Sequence, residues 1–194
     1  MKKLLLHICC APCAIYVFEK LRKDYNVTGF FYNPNIHPFK EYEFRRVELE
    51  KISEKLEWKV IYAEYEINKW FELIKGCEKE PERGRRCPIC FNMRLRKTFE
   101  YAKENNFDIV ASTLSISPYK VTQQINTEGL KISEELGIEF LPENFKKKNG
   151  YNMGKKMASE YRMKHQNYCG CVFSKVDRLL KIRGKNKKYL DFII

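Results

Sequence analysis

Short apolar runs alternate along this chain with longer stretches in which apolar positions recur every three or four residues. Lys3 to Ile8 is a compact apolar run suited to a buried strand, and Ile15, Phe18 and Leu21 give the segment from Ala14 to Lys23 helical spacing. Asn26 to Asn33 predicts a second strand, Phe39 to Leu56 a charged amphipathic helix, and Trp58 to Ala63 a third strand. Helices follow over Lys69 to Lys75 and Ile89 to Asn105, then a strand over Asp108 to Thr113. Pro118 sits where a further helix can begin. That helix is expected to run to Leu136, with Gly137 stopping it, and Ile138 to Leu141 gives a fifth strand. Strands separated by helices predict an α/β fold: a doubly wound, mostly parallel sheet of about five strands flanked by helices, with right-handed crossovers. No Pro/Gly/Ser-rich linker or internal repeat divides the chain. Residues 1–194 are therefore expected to form one domain, with 145–194 as a basic helical C-terminal extension of it.

A chain of 194 residues with 44% hydrophobic content can bury an ordinary core, so its eight cysteines are not needed as disulfide staples. The N-terminal Met-Lys-Lys-Leu-Leu-Leu-His-Ile starts basic and apolar, but the run is too short for a signal peptide and lacks a small-residue cleavage site. No apolar stretch approaches the roughly 20 residues that cross a bilayer. The expectation is a cytoplasmic protein with no membrane partner, where clustered thiols act as ligands or redox catalysts. The formal charge of +12 is unevenly spread. Residues 145–188 hold fourteen Lys or Arg against Glu160 and Asp177, which leaves residues 1–144 near neutral at +1. Such a patch attracts phosphate backbones and releases their counterions, so a nucleic-acid partner is expected. A solvated lysine-rich surface is the plainer alternative, and 32% charged residues also fit a heat-adapted source.

Seven of the eight cysteines fall in three groups, Cys9-Cys10-Ala-Pro-Cys13, Cys87-Pro-Ile-Cys90 and Cys169-Gly-Cys171, while Cys77 stands alone as an ordinary thiol. Doubly wound sheets bind ligands beyond the carboxyl ends of their strands, and the first group directly follows the first predicted strand. In nucleotide-hydrolase and PP-loop proteins of this architecture a glycine-rich turn occupies that place. This chain has no Gly-x-Gly-x-x-Gly, P-loop or Ser-Gly-Gly pattern there, so adenosine-phosphate chemistry loses its main support. Cys87 and Cys90 sit at the start of a predicted helix, where amide N–H groups and the dipole favour thiolate; Arg83, Arg85 and Arg86 add to that. With Cys9 and Cys10 they make a four-thiolate set able to hold zinc or an iron-sulfur cluster. Zinc sites usually pair two C-x(2–4)-C knuckles, a turn that adjacent cysteines do not make, which puts iron-sulfur ahead. Cys169 and Cys171 can close only a small strained ring, and strained disulfides are easily reduced, so these two suit a redox pair. Further metal ligands are the alternative, and Gly170 gives the backbone freedom either role needs.

Five motifs in order carry a resemblance to a known family: His7-Ile-Cys9-Cys10-Ala-Pro-Cys13, Tyr32-Asn-Pro-Asn-Ile-His37-Pro, Arg86-Cys87-Pro-Ile-Cys90, Ser112-Thr-Leu-Ser-Ile-Ser-Pro-Tyr119-Lys120 and Gln166-Asn-Tyr168-Cys169-Gly-Cys171-Val-Phe-Ser174. From Lys3 to Ser174 the chain resembles the cobalamin-independent epoxyqueuosine reductases, the QueH family. The resemblance implies the last step of queuosine synthesis, in which the epoxide on the cyclopentane ring of epoxyqueuosine at the tRNA wobble position is reduced to the alkene. It also implies a 4Fe-4S cluster on the matching positions Cys9, Cys10, Cys87 and Cys90, and a redox-active disulfide between Cys169 and Cys171. Cys13 lies within the family motif, as a ligand to a second iron or as a helix N-terminal thiol. An electron donor not identified by the sequence completes the implied partners.

A tRNA substrate accounts for the basic C-terminal third, because anticodon-loop bases can be splayed out and stacked on aromatics while basic residues hold the backbone. Tyr151, Tyr161, Tyr168 and Phe173 interleave with Lys155, Lys156, Arg162 and Lys164 in the expected way. Asp108, Tyr119 and Tyr168 are candidate acids for the leaving oxygen, with a turn role the alternative for Asp108. His37 can face the same cleft, and His7 can orient a cluster sulfur. Two other classes fit the residues less completely: a zinc-stabilised RNA-binding module without catalysis, and a thiol-disulfide oxidoreductase unrelated to tRNA.

Overall fold

In the computed structural model, which describes residues 1–183, Lys3–His7 forms β1 at the centre of a parallel sheet. Residues 184–194, and with them the end of the predicted basic extension, lie outside the described residues. β1 is followed by α1 (Ala11–Leu21), β2 (Asn26–Phe31), α2 (Phe39–Lys55) and β3 (Val60–Tyr62). Next come α3 (Ile67–Leu73), α4 (Arg86–Glu104), β4 (Ile109–Ser112), α5 (Thr122–Leu136), β5 (Glu139–Phe140), α6 (Gly150–Glu160) and α7 (Val172–Arg183). All five strands run parallel in the order β3-β2-β1-β4-β5.

The central strand is apolar on both faces because both are covered. Leu4 and Leu6 pack with Ile15, Phe18, Leu49, Ile52 and Ala158 from α1, α2 and α6. Leu5 packs on the other face with Phe91, Phe99, Ile125 and Ile132 from α4 and α5. The chain winds outward from β1 to β3, then crosses back to β4, so the winding reverses between β1 and β4, where His7 stands in register with Ser112. Doubly wound sheets hold their ligands at that reversal, beyond the strand ends.

Element boundaries depart from the periodicity in three informative places. α1 and α4 begin earlier than the apolar spacing predicts, because Pro12 and Pro88 occupy first turns, where a missing N–H costs nothing. Pro118 does not begin a helix: the Ser112 hydroxyl accepts from the Leu114 amide at 3.2 Å and starts a 3-10 turn over Thr113–Ile116, and α5 begins only at Thr122. Gly137 ends α5 as expected, in the left-handed region at φ 71° with its amide donating to Ser133 O at 2.9 Å.

α5 lies close on β5 because Gly129 carries no side chain; even a methyl there would enter the buried ring of Phe140, itself packed against Phe99 at 5.9 Å between centroids. Gly129→Leu is expected to lose about 2 kcal/mol or more through overpacking, despite the roughly 1 kcal/mol that leucine gains in helix propensity. Denaturant unfolding of the two proteins checks the sign and size.

Candidate metal and redox centre

The first cysteine group sits where β1 ends. Asn33 donates to Ile8 O at 2.9 Å and receives Arg94 Nη2 at 2.5 Å, fixing the chain just before Cys9. The Cys9 amide donates to Thr113 Oγ1 at 3.1 Å, tying the turn to the segment after β4. Cys10 caps α1 and Cys13 follows three residues later on the same face, so the sulfurs of Cys9, Cys10 and Cys13 lie within 4.8 Å of one another. The Cys9 and Cys10 sulfurs are 3.8 Å apart. Thiolates tetrahedral about a metal at roughly 2.3 Å stand about 3.8 Å from each other, so the donor set fits a metal. Hydrogen bonds from Cys10 and Cys13 hold the Cys9 thiol well below the usual range. Cys10 is pushed up to about 12: a hydrogen bond with Cys13 resists the rise, and donation to Cys9, burial and the Cys9 charge outweigh it. Donation to Cys10 and Cys9 raises Cys13. Three thiols sharing their protons in this way could hold a metal ion, whose binding would release those protons.

Cys87 in the first turn of α4 and Cys90 at the start of the second face a cavity shared with Cys169 and Cys171. The Arg83 amide donates to the Cys87 sulfur at 3.2 Å. Burial nevertheless pushes Cys87 up to about 12 and raises Cys90, so desolvation outweighs the helix terminus that was expected to favour thiolate. The three arginines are otherwise engaged. Arg83 reaches Tyr119 O at 3.0 Å, Arg85 pairs with Glu80, and buried Arg86 donates to the carbonyls of Cys77, Glu78 and Glu80 with its guanidinium over Phe173. Two buried side chains in the same cavity wall, Trp70 and Arg94, lie against the Cys90 sulfur and favour its thiolate. Buried N–H donors aimed at Cys90 suit an anionic sulfur centre, since a buried donor left without an acceptor costs roughly 1–3 kcal/mol.

The third group lines the same space from the segment before α7. The Cys169 and Cys171 sulfurs are 3.6 Å apart and both thiols are free. A hydrogen bond with Cys171 holds Cys169 well below the usual thiol range; burial opposes this, while Lys120 and Ser174 add to it. The same hydrogen bond, burial and the Cys169 charge push Cys171 up. Iodoacetamide is therefore expected to label Cys169 ahead of Cys171 in reduced protein, and to keep labelling it at pH values where an ordinary thiol no longer reacts. Peptide mapping across a pH series checks this, and equal rates at the two sites would remove the assignment. The loop owes its shape to Arg45, a buried residue of α2 that bonds Cys169 O at 3.2 Å, Tyr168 O at 3.3 Å and Glu41 at 2.8 Å. Gly170, at φ 114°, lies so close that a methyl there would stand 2.8 Å from Ile36 and 3.1 Å from the guanidinium. The amide of His37 donates to Gly170 O at 2.8 Å.

The three groups thus line two adjoining cavities that share Cys169, Arg83, Tyr119 and Lys120. The larger, about 370 Å³, is lined by Cys9, Cys10 and Cys13 and falls within the roughly 300–1,000 Å³ of small-molecule sites. Comparison with known proteins now decides the family: the model described as QueH, epoxyqueuosine reductase, matches residues 4–177. This chain belongs to the QueH family. The epoxyqueuosine reductase QueH of Acinetobacter baylyi is 42% identical over 176 residues, covering 89% of this chain and 80% of the relative. That of Thermotoga maritima is 36% identical over 181 residues, covering 92% and 93%. A solved structure described as a predicted subunit of tRNA methyltransferase from Methanocaldococcus jannaschii matches 96% of this chain and 90% of its own at a TM-score of 0.55. At 15% identity it shows a shared α/β fold alone.

Membership in QueH makes the chain an oxidoreductase, so the non-catalytic zinc module is set aside. The structure sorts the remaining candidates. Asp108 lies at the opposite end of the sheet, accepting from the Lys3 amide at 2.7 Å, and takes no part in the cleft. His7 is buried and neutral, pushed down to about 3 by burial with Arg94 contributing, and bridges Ser112 Oγ and Tyr32 O rather than a sulfur. Phe173 is buried against Trp70 and Arg86 and offers no RNA surface. Tyr161 stands on the α2 side under Lys55. Tyr119 and Tyr168 do line the cleft, and His37 stays beside the Cys169 loop. Residues that sequence reasoning passed over are Lys120, placed among Cys9, Cys13 and Cys169, and the buried pair Arg45 and Arg94. The signal for Lys120 was its place at the end of the 112–120 motif.

Proposed function

We propose that this protein reduces the epoxide of epoxyqueuosine at the wobble position of tRNA to the alkene of queuosine, a reaction in the cytoplasm that takes up two electrons and two protons and releases water. The observation that carries this reading is the convergence of Cys9, Cys10, Cys13, Cys87, Cys90, Cys169 and Cys171 on adjoining cavities at the switch point of the sheet.

In this reading Cys9, Cys10, Cys87 and Cys90 hold a 4Fe-4S cluster, and Cys13, beside Cys9 and Cys10, serves a second iron. A low-potential cluster supplies single electrons when bound. Everything else falls to the chain. Oxidation of the Cys169 and Cys171 dithiol to a disulfide releases two electrons and two protons, the number that opening the epoxide consumes, and an external donor returns the pair to dithiol. Lys120, raised because Cys9, Cys13 and Cys169 outweigh its burial, keeps an ammonium facing the cleft to stabilise the departing oxygen. Tyr119 and Tyr168 border that space, and Arg83 and Arg178 at its edge suit a phosphate backbone. No helix among the described residues is long and apolar enough to cross a membrane.

The test is anaerobic turnover of tRNA carrying epoxyqueuosine with a chemical reductant, followed by nucleoside mass analysis. Conversion to a nucleoside lighter by one oxygen is expected. Persistence of the epoxide with protein fully loaded with iron and sulfide would contradict the proposal.

A further inference from the structure

Next to the reaction cleft, and sharing Cys13, Ser117, Tyr119 and Gln166 with it, runs a second, narrower groove between the 112–120 segment and α6. Its walls come from two separate elements: Tyr119 stands on the first, half exposed, and Tyr151 on the first turn of α6. Neither phenol hydroxyl makes a hydrogen bond among the described residues, which leaves both free to meet a ligand. The 112–120 wall is fixed from below by Lys146, which donates to Ser117 O at 3.3 Å and Lys120 O at 2.9 Å. α6 is held against α1 because Gly150 and Gly154 have no side chain; a methyl at either would approach Tyr16, at 2.8 and 3.3 Å. Two aromatic walls on braced supports, with exposed Lys155 and His165 at the rim, make a rigid platform. The enclosed part is only about 60 Å³, against about 370 Å³ for the neighbouring cleft. A base can lie on this platform but cannot sink into it.

We infer that the groove between Tyr119 and Tyr151 is a stacking subsite for the nucleotide that neighbours the modified one in the anticodon loop. The inference rests on the tRNA reading above. With the modified base in the larger cleft, the next base of an unpaired strand must leave along a continuous wall, and Tyr119 borders both spaces. Aromatic faces accept any base, and lysine at the rim meets its phosphate, so this subsite contributes affinity and register rather than sequence choice.

The experiment measures binding of anticodon stem-loop RNA to the full chain, with the loop nucleotides replaced one at a time by abasic ones. Tyr151→Ala is expected to weaken binding roughly 5- to 150-fold, the range for loss of one base–aromatic stack, and Tyr151→Phe to retain affinity. An abasic nucleotide adjacent to the wobble position should cost the wild type a similar factor and cost Tyr151→Ala nothing further. Losses that multiply independently at every loop position, or a Tyr151→Ala protein that binds as the wild type does, would overturn the subsite while leaving the tRNA reading intact. A wild-type protein with no affinity for the stem-loop would overturn both.

Discussion

Replacing Cys10 with serine is expected to strip the protein of bound iron and lower turnover by more than about 100-fold, while the fold survives. Changes one shell out from a metal already cost roughly 10–100-fold, and Cys10 stands inside the sulfur trio. It is buried, its sulfur is 3.8 Å from that of Cys9, and it faces the same cleft as Cys169. Serine is nearly isosteric, and Cys10 makes no side-chain cap to α1 that could be lost, so an unfolding explanation is checked by unchanged far-UV circular dichroism. Cys171→Ser separates the two roles proposed for the cysteines. It should retain iron and its absorption yet stop turnover, because the remaining Cys169 cannot close a disulfide. A Cys171→Ser protein with wild-type turnover would remove the redox pair from the mechanism.

Arg45→Met is expected to cost about 3 kcal/mol, a fall of roughly 6–12 °C in Tm for a chain of this size, and to abolish turnover with it. Arg45 is 2% exposed, and its guanidinium answers the carbonyls of Tyr168 and Cys169, the carboxylate of Glu41 and the face of the Tyr168 ring at 5.3 Å. Glu41 is partly exposed and can rehydrate once its partner is gone, which keeps the loss toward the lower end of the roughly 3–5 kcal/mol of a broken buried pair. The two carbonyls lose donors at the turn that aims Cys169 and Cys171 into the cleft. Thermal unfolding gives the stability loss, and the labelling ratio of Cys169 to Cys171 reports the loop: it should move toward one in Arg45→Met. A wild-type ratio with lost stability would make Arg45 a packing residue only.

What the sequence made legible was set by how local each signal is. β1 and the end of α5 could be read directly, one from a continuous apolar run, the other from Gly137 in the left-handed cap, whereas Pro118 misplaced the start of α5. The place of Cys9 and Cys10 followed from topology, since a strand of this fold delivers its carboxyl end to the switch point. Cys13 belongs to that group because it lies three residues after the helix cap, which the structure places at Cys10 rather than at the predicted start of Ala14. Arg45 and Arg94 were hidden, because charged residues in amphipathic helices ordinarily face water. Only the tertiary positions of Cys169 O and Asn33 show what they hold. Asp108 misled for the same reason, since proximity in sequence to the 112–120 motif says nothing of which end of β4 it occupies. The interleaved tyrosines of the C-terminal third separate, Tyr161 under Lys55 of α2 and Tyr151 in the groove beside the 112–120 segment, because they stand at opposite ends of α6.

The measurement that bears most directly on the centre is the visible absorption spectrum, with iron and sulfide assay, of the whole protein reconstituted and kept without oxygen. A brown chromophore that bleaches on reduction, with iron and sulfide in near-equal amounts, is the expected result. Colourless protein that takes up a single zinc ion and no sulfide under the same conditions would contradict it.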